Sequence, residues 1–159
     1  MSNNGLHGRL VLEHLRRLHH RSTWQTPLVQ LVAGVSADHA LWRPPGAANS
    51  TFDLVFHMDF WTRWALEVLA GRTGPEAGER MPDFPRLAGV SSDSRRWHQL
   101  AGRFREALGL LERACQQLSE EDLARPERGA DLLLEAAGHN LWHGGQVMLL
   151  RRMWERSRT

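Results

Sequence analysis

The chain has 159 residues, 42% of them hydrophobic, enough for one domain spanning residues 1–159 and burying a single core. All twenty basic residues are arginine, but they are interleaved with eighteen acidic ones, as in "RFREALGLLERACQQLSEEDLAR", so the net charge is only +2 and no concentrated nucleic-acid-binding stripe forms. No apolar run nears the ~20 residues that span a bilayer, "MSNNGLHGRL" lacks the order of a secretory signal, and the lone Cys115 forms no internal disulfide. A soluble cytoplasmic protein with no membrane or nucleic-acid partner is the expectation.

Leu10, Leu12, Leu15 and Leu18 open a first helix. "RSTWQTP" interrupts it, and Thr26 with Pro27 suits the start of a renewed helix through Leu28, Leu31, Val32 and Val35, so the first helix is either kinked or split. Ser36 and Asp38 suggest a short capped turn before Pro44-Pro45-Gly46. Ser50 and Asp53 resemble a capping box for a second helix, "TFDLVFHMDFWTRWALEVLAG", ending at Gly71. A long polar loop, "RTGPEAGERMPDFPRLAGV", could cover one end of the fold. Ser91 or Ser92 caps a third helix, "DSRRWHQLAGRFREALGLLERACQQL". The fourth runs from about Asp131 to Glu155, with Leu133, Ala136, Ala137, Val147, Leu150 and Met153 facing the core. The pattern predicts an all-α protein, a four-helix bundle.

The fourth helix carries His139 and His143, four apart and therefore on one face one turn apart. His57 lies mid-way along the second helix, on or beside the apolar stripe of Leu54, Met58, Trp61, Ala65 and Val68, where an unpartnered ring costs desolvation energy. Three imidazoles from two packed helices can share one divalent cation and leave part of its shell open. Zn²⁺, Ni²⁺, Mn²⁺ and Fe²⁺ all accept imidazole, so ligand type does not choose among them.

The segments "NSTFDLVFHMDFWTRWALEVLAG" and "LLLEAAGHNLWHGGQVMLLRR", with the connector "LVAGVSADHALWRPPG", resemble the DinB-like, or YfiT-like, superfamily of metal-dependent helical bundles, unrelated to the DNA polymerase of similar name. The most specific part is H-N-x-W-H-x-G-Q-x-x-L-L-R. The resemblance implies a metal held by His57, His139 and His143, a homodimer, and an S-transferase-type reaction on a small-molecule substrate using a low-molecular-weight thiol. Metal-activated hydrolysis and a non-catalytic, metal-stabilised binding module are the alternatives. Some relatives carry His-Gly after the tryptophan of the first helical segment, whereas Trp24 is followed here by Gln25-Thr26-Pro27.

Further residues stand close to the three histidines in sequence. Asp53 suits either the helix cap or a hydrogen bond to a ligand ring, and Glu135 a solvated face, a hydrogen bond to a ligand ring or a general-base role. Gln146 could orient His143 or bind substrate. Trp61, Trp64 and Trp142 suit cavity walls or core. Gly144-Gly145 permits close approach by a neighbouring helix, a partner or substrate. Cys115 reads as a small buried residue, and His14, His19, His20, His39 and His98 as solvated.

Overall fold

The computed structural model describes residues 5–22, 24–72 and 94–158. Helix α1 (Leu6–His20) buries Val11, Leu12, Leu15 and Leu18, the three-and-four spacing that puts one face inward. It ends at Arg21, and α2 (Leu28–Val32) begins after Pro27, so the first helical segment is split rather than kinked. In α3 (Ala37–Leu41) the Ser36 side chain accepts the His39 N–H. Helix α4 (Thr51–Leu69) opens with a full capping box: Ser50 Oγ accepts the Asp53 N–H at 3.2 Å and Asp53 Oδ2 accepts the Ser50 N–H at 2.8 Å. Residues 73–93, which include the polar loop and the caps expected at Ser91 or Ser92, lie outside the described residues.

Helix α5 (Ser94–Gln117) and the short α6 (Glu120–Leu123) lead to α7 (Ala130–Arg156). Gly129 starts α7 where a Cβ would collide with the backbone carbonyls of Asp122 and Leu123. Helices α1 and α4 each pack against both α5 and α7, which makes the long helices a four-helix bundle with three short helices attached. No strand is present among the described residues, and none of their helices is long and apolar enough to cross a membrane.

The core has two halves. One joins α2 and α3 to Leu54, Val55, Met58, Phe104, Val147 and Leu150; the other joins α1 to Ala65, Leu111, Cys115, Leu132, Leu133 and Ala137. Cys115 is fully buried, and burial pushes its thiol up to about 11, an inert thiol at neutral pH. Met153, expected in the core, is 39% exposed, and it is the next residue, Trp154, that packs inward on His39 and Trp42.

Two histidines expected on solvated faces are buried. His39 stacks on Trp154 with ring centroids 5.3 Å apart. His19 continues the buried face of α1 one turn beyond Leu15, and its Nδ1 lies 2.6 Å from Glu112 Oε1 on α5. His20 Nε2 reaches the same oxygen at 2.9 Å. Burial alone would raise the Glu112 carboxyl, but the bonds and charges of His19 and then His20 outweigh it and hold it below the usual carboxylate range.

Gly144 and Gly145 separate under inspection. A Cβ on Gly144 would meet Leu28 Cδ2 and Leu31 Cδ1 at 3.0 Å, so the glycine lets α2 close onto α7, while Gly145 has nothing within 4 Å. Gly145→Ala is therefore expected to gain roughly 0.5–1 kcal/mol from helix propensity. Gly144→Val, overpacked against two buried leucines, is expected to lose roughly 1–3 kcal/mol; denaturant titration reads both. A second expectation concerns acid. Because the folded-state pKa of Glu112 is depressed, its contribution is complete above the ordinary value of 4.5 and fades as pH falls through the folded value. The stability gap between wild type and Glu112→Gln should thus be full above the ordinary value of 4.5 and shrink as pH falls below it. A gap that stays constant would show that the ionised carboxylate contributes nothing.

Candidate metal centre

The buried positions of α7 run Leu133, Ala137, Asn140, Gly144, Val147, a spacing of three and four that places a polar residue and a glycine in the middle of a core stripe. They fall between the two halves of the core. His139 and His143, half-buried, stand one residue to the side of this stripe. Across the interface, α4 presents His57, only 8% exposed, between the buried Leu54 and Met58. Both helices are anchored by apolar side chains above and below this level, so the three rings are held by the core.

His57 Nε2 and His139 Nε2 are 3.0 Å apart. Ring centroids are separated by 4.9 Å for His57–His139, 4.7 Å for His57–His143 and 4.6 Å for His139–His143. One nitrogen from each ring lies within 4.8 Å of the other two. Two nitrogens bound to one cation at ~2.0–2.1 Å stand roughly 3.3 Å apart, so the closest pair already has a separation suited to a shared ion. Burial, then the neighbouring His143 and His57 rings, push His139 down to about 4, with Asn140 acting weakly in the opposite sense. A neutral ring retains a lone pair for a cation. An all-imidazole donor set therefore fits a borderline divalent metal.

His143 Nδ1 donates to Gln146 Oε1 at 2.8 Å, one turn along α7. That bond leaves Nε2 of His143 as its lone-pair nitrogen, the arrangement by which a neighbouring amide fixes a ligand's tautomer. Asp53 is engaged elsewhere: its Oδ2 accepts from Ser50 N, from Ser50 Oγ at 2.6 Å and from Arg43 Nη2 at 2.7 Å, so it caps α4 and clamps the connector. Trp142 is 72% exposed, pointing away from the site.

A cavity of about 540 Å³ adjoins His57 and His139. Trp61, Trp64, Ala65, Leu132 and Ala136 form its apolar walls, with Thr62 and Glu135 as the remaining polar lining. Its volume is that of a small-molecule site. Trp61 makes an edge contact with His57 at 6.2 Å and with Trp64 at 5.6 Å, so indoles shield one side of the histidines.

Two residues at this interface escaped the reading of the sequence. Asn140 and Thr62 are fully buried or nearly so, and Asn140 Nδ2 donates to Thr62 Oγ1 at 2.9 Å while Thr62 Oγ1 donates to Met58 O at 2.8 Å. This chain ties α4 to α7 one step from His139. Its signal in the sequence was Asn140 falling on the core spacing of α7. A second group, His19, His20 and Glu112, also brings ligand types together. There, however, both rings already hydrogen-bond one carboxylate oxygen, so the three groups satisfy one another without a cation.

The family model of the DinB superfamily matches residues 19–147, most of the chain and all three histidines. No curated protein and no solved structure matches the chain.

Removing either end of the Asn140–Thr62 bond should destabilise the bundle. Asn140→Ala and Thr62→Val are each expected to cost roughly 1–3 kcal/mol, since each strands a buried polar group or opens a void. In the double variant the losses should sum to less than the two singles. Strict additivity in denaturant titrations would mean that the two side chains act separately.

Proposed function

We propose that this chain, which belongs to the DinB superfamily, is a divalent-metal-dependent enzyme in which His57, His139 and His143 hold the cation. The observation that carries the reading is the 3.0 Å approach of His57 Nε2 to His139 Nε2 with a nitrogen of His143 within 4.8 Å of both. A bound cation supplies Lewis acidity, lowering the pKa of a coordinated thiol or water. Three protein ligands leave room for such a group, whereas structural zinc sites close with four.

The chain's own residues do the rest. Gln146 orients His143, and the Thr62–Asn140 link holds α4 and α7 in register. Trp61 packs edge-on against His57 and His139, and the adjoining cavity, walled by Trp61 and Trp64, admits a small molecule. The reaction that suits this arrangement is transfer of a low-molecular-weight thiol to an electrophilic carbon: the sulfur–carbon bond forms, the thiol proton passes to solvent, and the leaving group departs with its bonding electrons. The exposed apolar side chains of α7, Leu141, Trp142 and Leu149 among them, suit the face of a homodimer. A buried, inert cysteine suits a cytoplasmic protein.

Protein purified without a histidine tag should carry a divalent ion by elemental analysis, and His139→Ala should lose it. A panel of small thiols offered with a reactive electrophile should give thiol-dependent product that disappears on chelation and in His139→Ala. Product formed equally without thiol would favour metal-activated hydrolysis. Metal that raises the melting temperature without any turnover would reduce the protein to a metal-stabilised binding module.

A further inference from the structure

The cavity beside His57 and His139 has a one-sided charge. The chain carries twenty arginines, yet no arginine is among the described residues that line the cavity. The one carboxylate among the described lining residues is Glu135, on α7 one turn before His139 and therefore on the same helix face. Glu135 makes no hydrogen bond or ion pair with any other described residue, so its charge is not already neutralised by a neighbour. The same cavity is lined by the indoles of Trp61 and Trp64, with centroids 5.6 Å apart and planes 67° apart, and by the apolar Leu132 and Ala136. An indole face attracts a cation through its quadrupole, and a carboxylate beside two indoles adds charge to that attraction. Without a bound ion, an anionic ligand would meet the opposite field, with no guanidinium among the described lining residues to receive it.

We infer that this cavity selects an organic cation: a ligand with an ammonium group held between Glu135 and the Trp61–Trp64 wall, and an apolar body of about the size of a phenylethyl group. The inference deepens the proposed function. It rests on that reading only for which end of the ligand faces the histidines, since the ammonium is kept apart from a bound cation and the opposite, uncharged end reacts. Glu135 is thereby a specificity residue, acting on the ligand's charge.

Isothermal titration calorimetry with a matched series tests this on the full-length protein, both as purified and after chelation. The series is phenethylammonium, phenethyl alcohol and hydrocinnamate, which share an aromatic body and differ in charge. The ammonium should bind about tenfold more tightly than the alcohol, and hydrocinnamate should bind chelated protein most weakly. In Glu135→Gln, which keeps the shape and removes the charge, the ammonium-to-alcohol ratio should fall towards unity. Trp64→Leu should lower the same ratio while circular dichroism shows an intact helical fold. Equal binding of alcohol and ammonium, no binding of the ammonium, or an unchanged ratio in Glu135→Gln overturns the inference. Loss of the metal reading registers separately: elemental analysis would find no ion, while the ammonium preference of the chelated protein would persist.

Discussion

The contact between α4 and α7 at the level of Asn140 and Thr62 is the constraint on which the rest of the site depends. An isolated amide inside a bundle is unfavourable, but here Asn140 Nδ2 is bonded to Thr62 Oγ1, and that hydroxyl is in turn bonded to Met58 O. The link forms in one register only. A slip of either helix by one residue would rotate each side chain by about 100° and separate the pair. His57 lies one residue before Met58, and His139 one before Asn140, so the register that pairs the Asn140 amide nitrogen with Thr62 also brings the two imidazole nitrogens to 3.0 Å.

The apolar core is divided around this level. Leu133 and Ala137 belong to one half, Val147 and Leu150 to the other, and the turns of α7 between them carry histidines, an amide and glycines. Leucine at those positions would fuse the halves into a better-packed core and leave neither donor atoms nor an adjoining cavity. The polar middle gives up some hydrophobic stabilisation, and the hydrogen-bonded Asn140–Thr62 pair offsets part of that loss. On the outside of the same level, Trp61 makes edge contacts with His57 and His139 and is itself packed by Trp64, so the site has core on one side and an indole on another.

What could be read from the sequence was set by how local each interaction is. The Ser50–Asp53 cap spans three residues, and the break before α2 is marked by Pro27; both need only neighbouring residues. The His139–His143 spacing is likewise a property of one helix, and His57 stood out because it sits beside an apolar stripe. The burial of His19 was not legible, because its partner Glu112 is 93 positions away, and a histidine at the end of an arginine-rich helix looks solvated without it. His39 is covered by Trp154 from the far end of the chain. Asn140 and Thr62, 78 positions apart, are each ordinary polar residues until the two helices meet. Asp53 satisfied both of its possible roles on paper; three bonds at the head of α4 decided for the cap.

The three glycines of α7 bear on how the ligand geometry is maintained. Gly144 is explained by the close approach of Leu28 and Leu31, but Gly138 and Gly145 meet nothing within 4 Å and each weakens the local helix by about 1 kcal/mol relative to alanine. Such a segment would be a poor helix in isolation, since most helical stability in a protein comes from tertiary packing of the buried face. In α7 that packing lies at both ends, through Leu132, Leu133 and Ala137 on one side and Val147 and Leu150 on the other. The helical path across positions 138–145 is therefore imposed from outside, and the spacing of His139 and His143 follows from how the ends are anchored. Weak intrinsic helix at the site and firm anchoring beyond it are compatible, because the same apolar contacts that build the bundle also define where the two imidazoles stand.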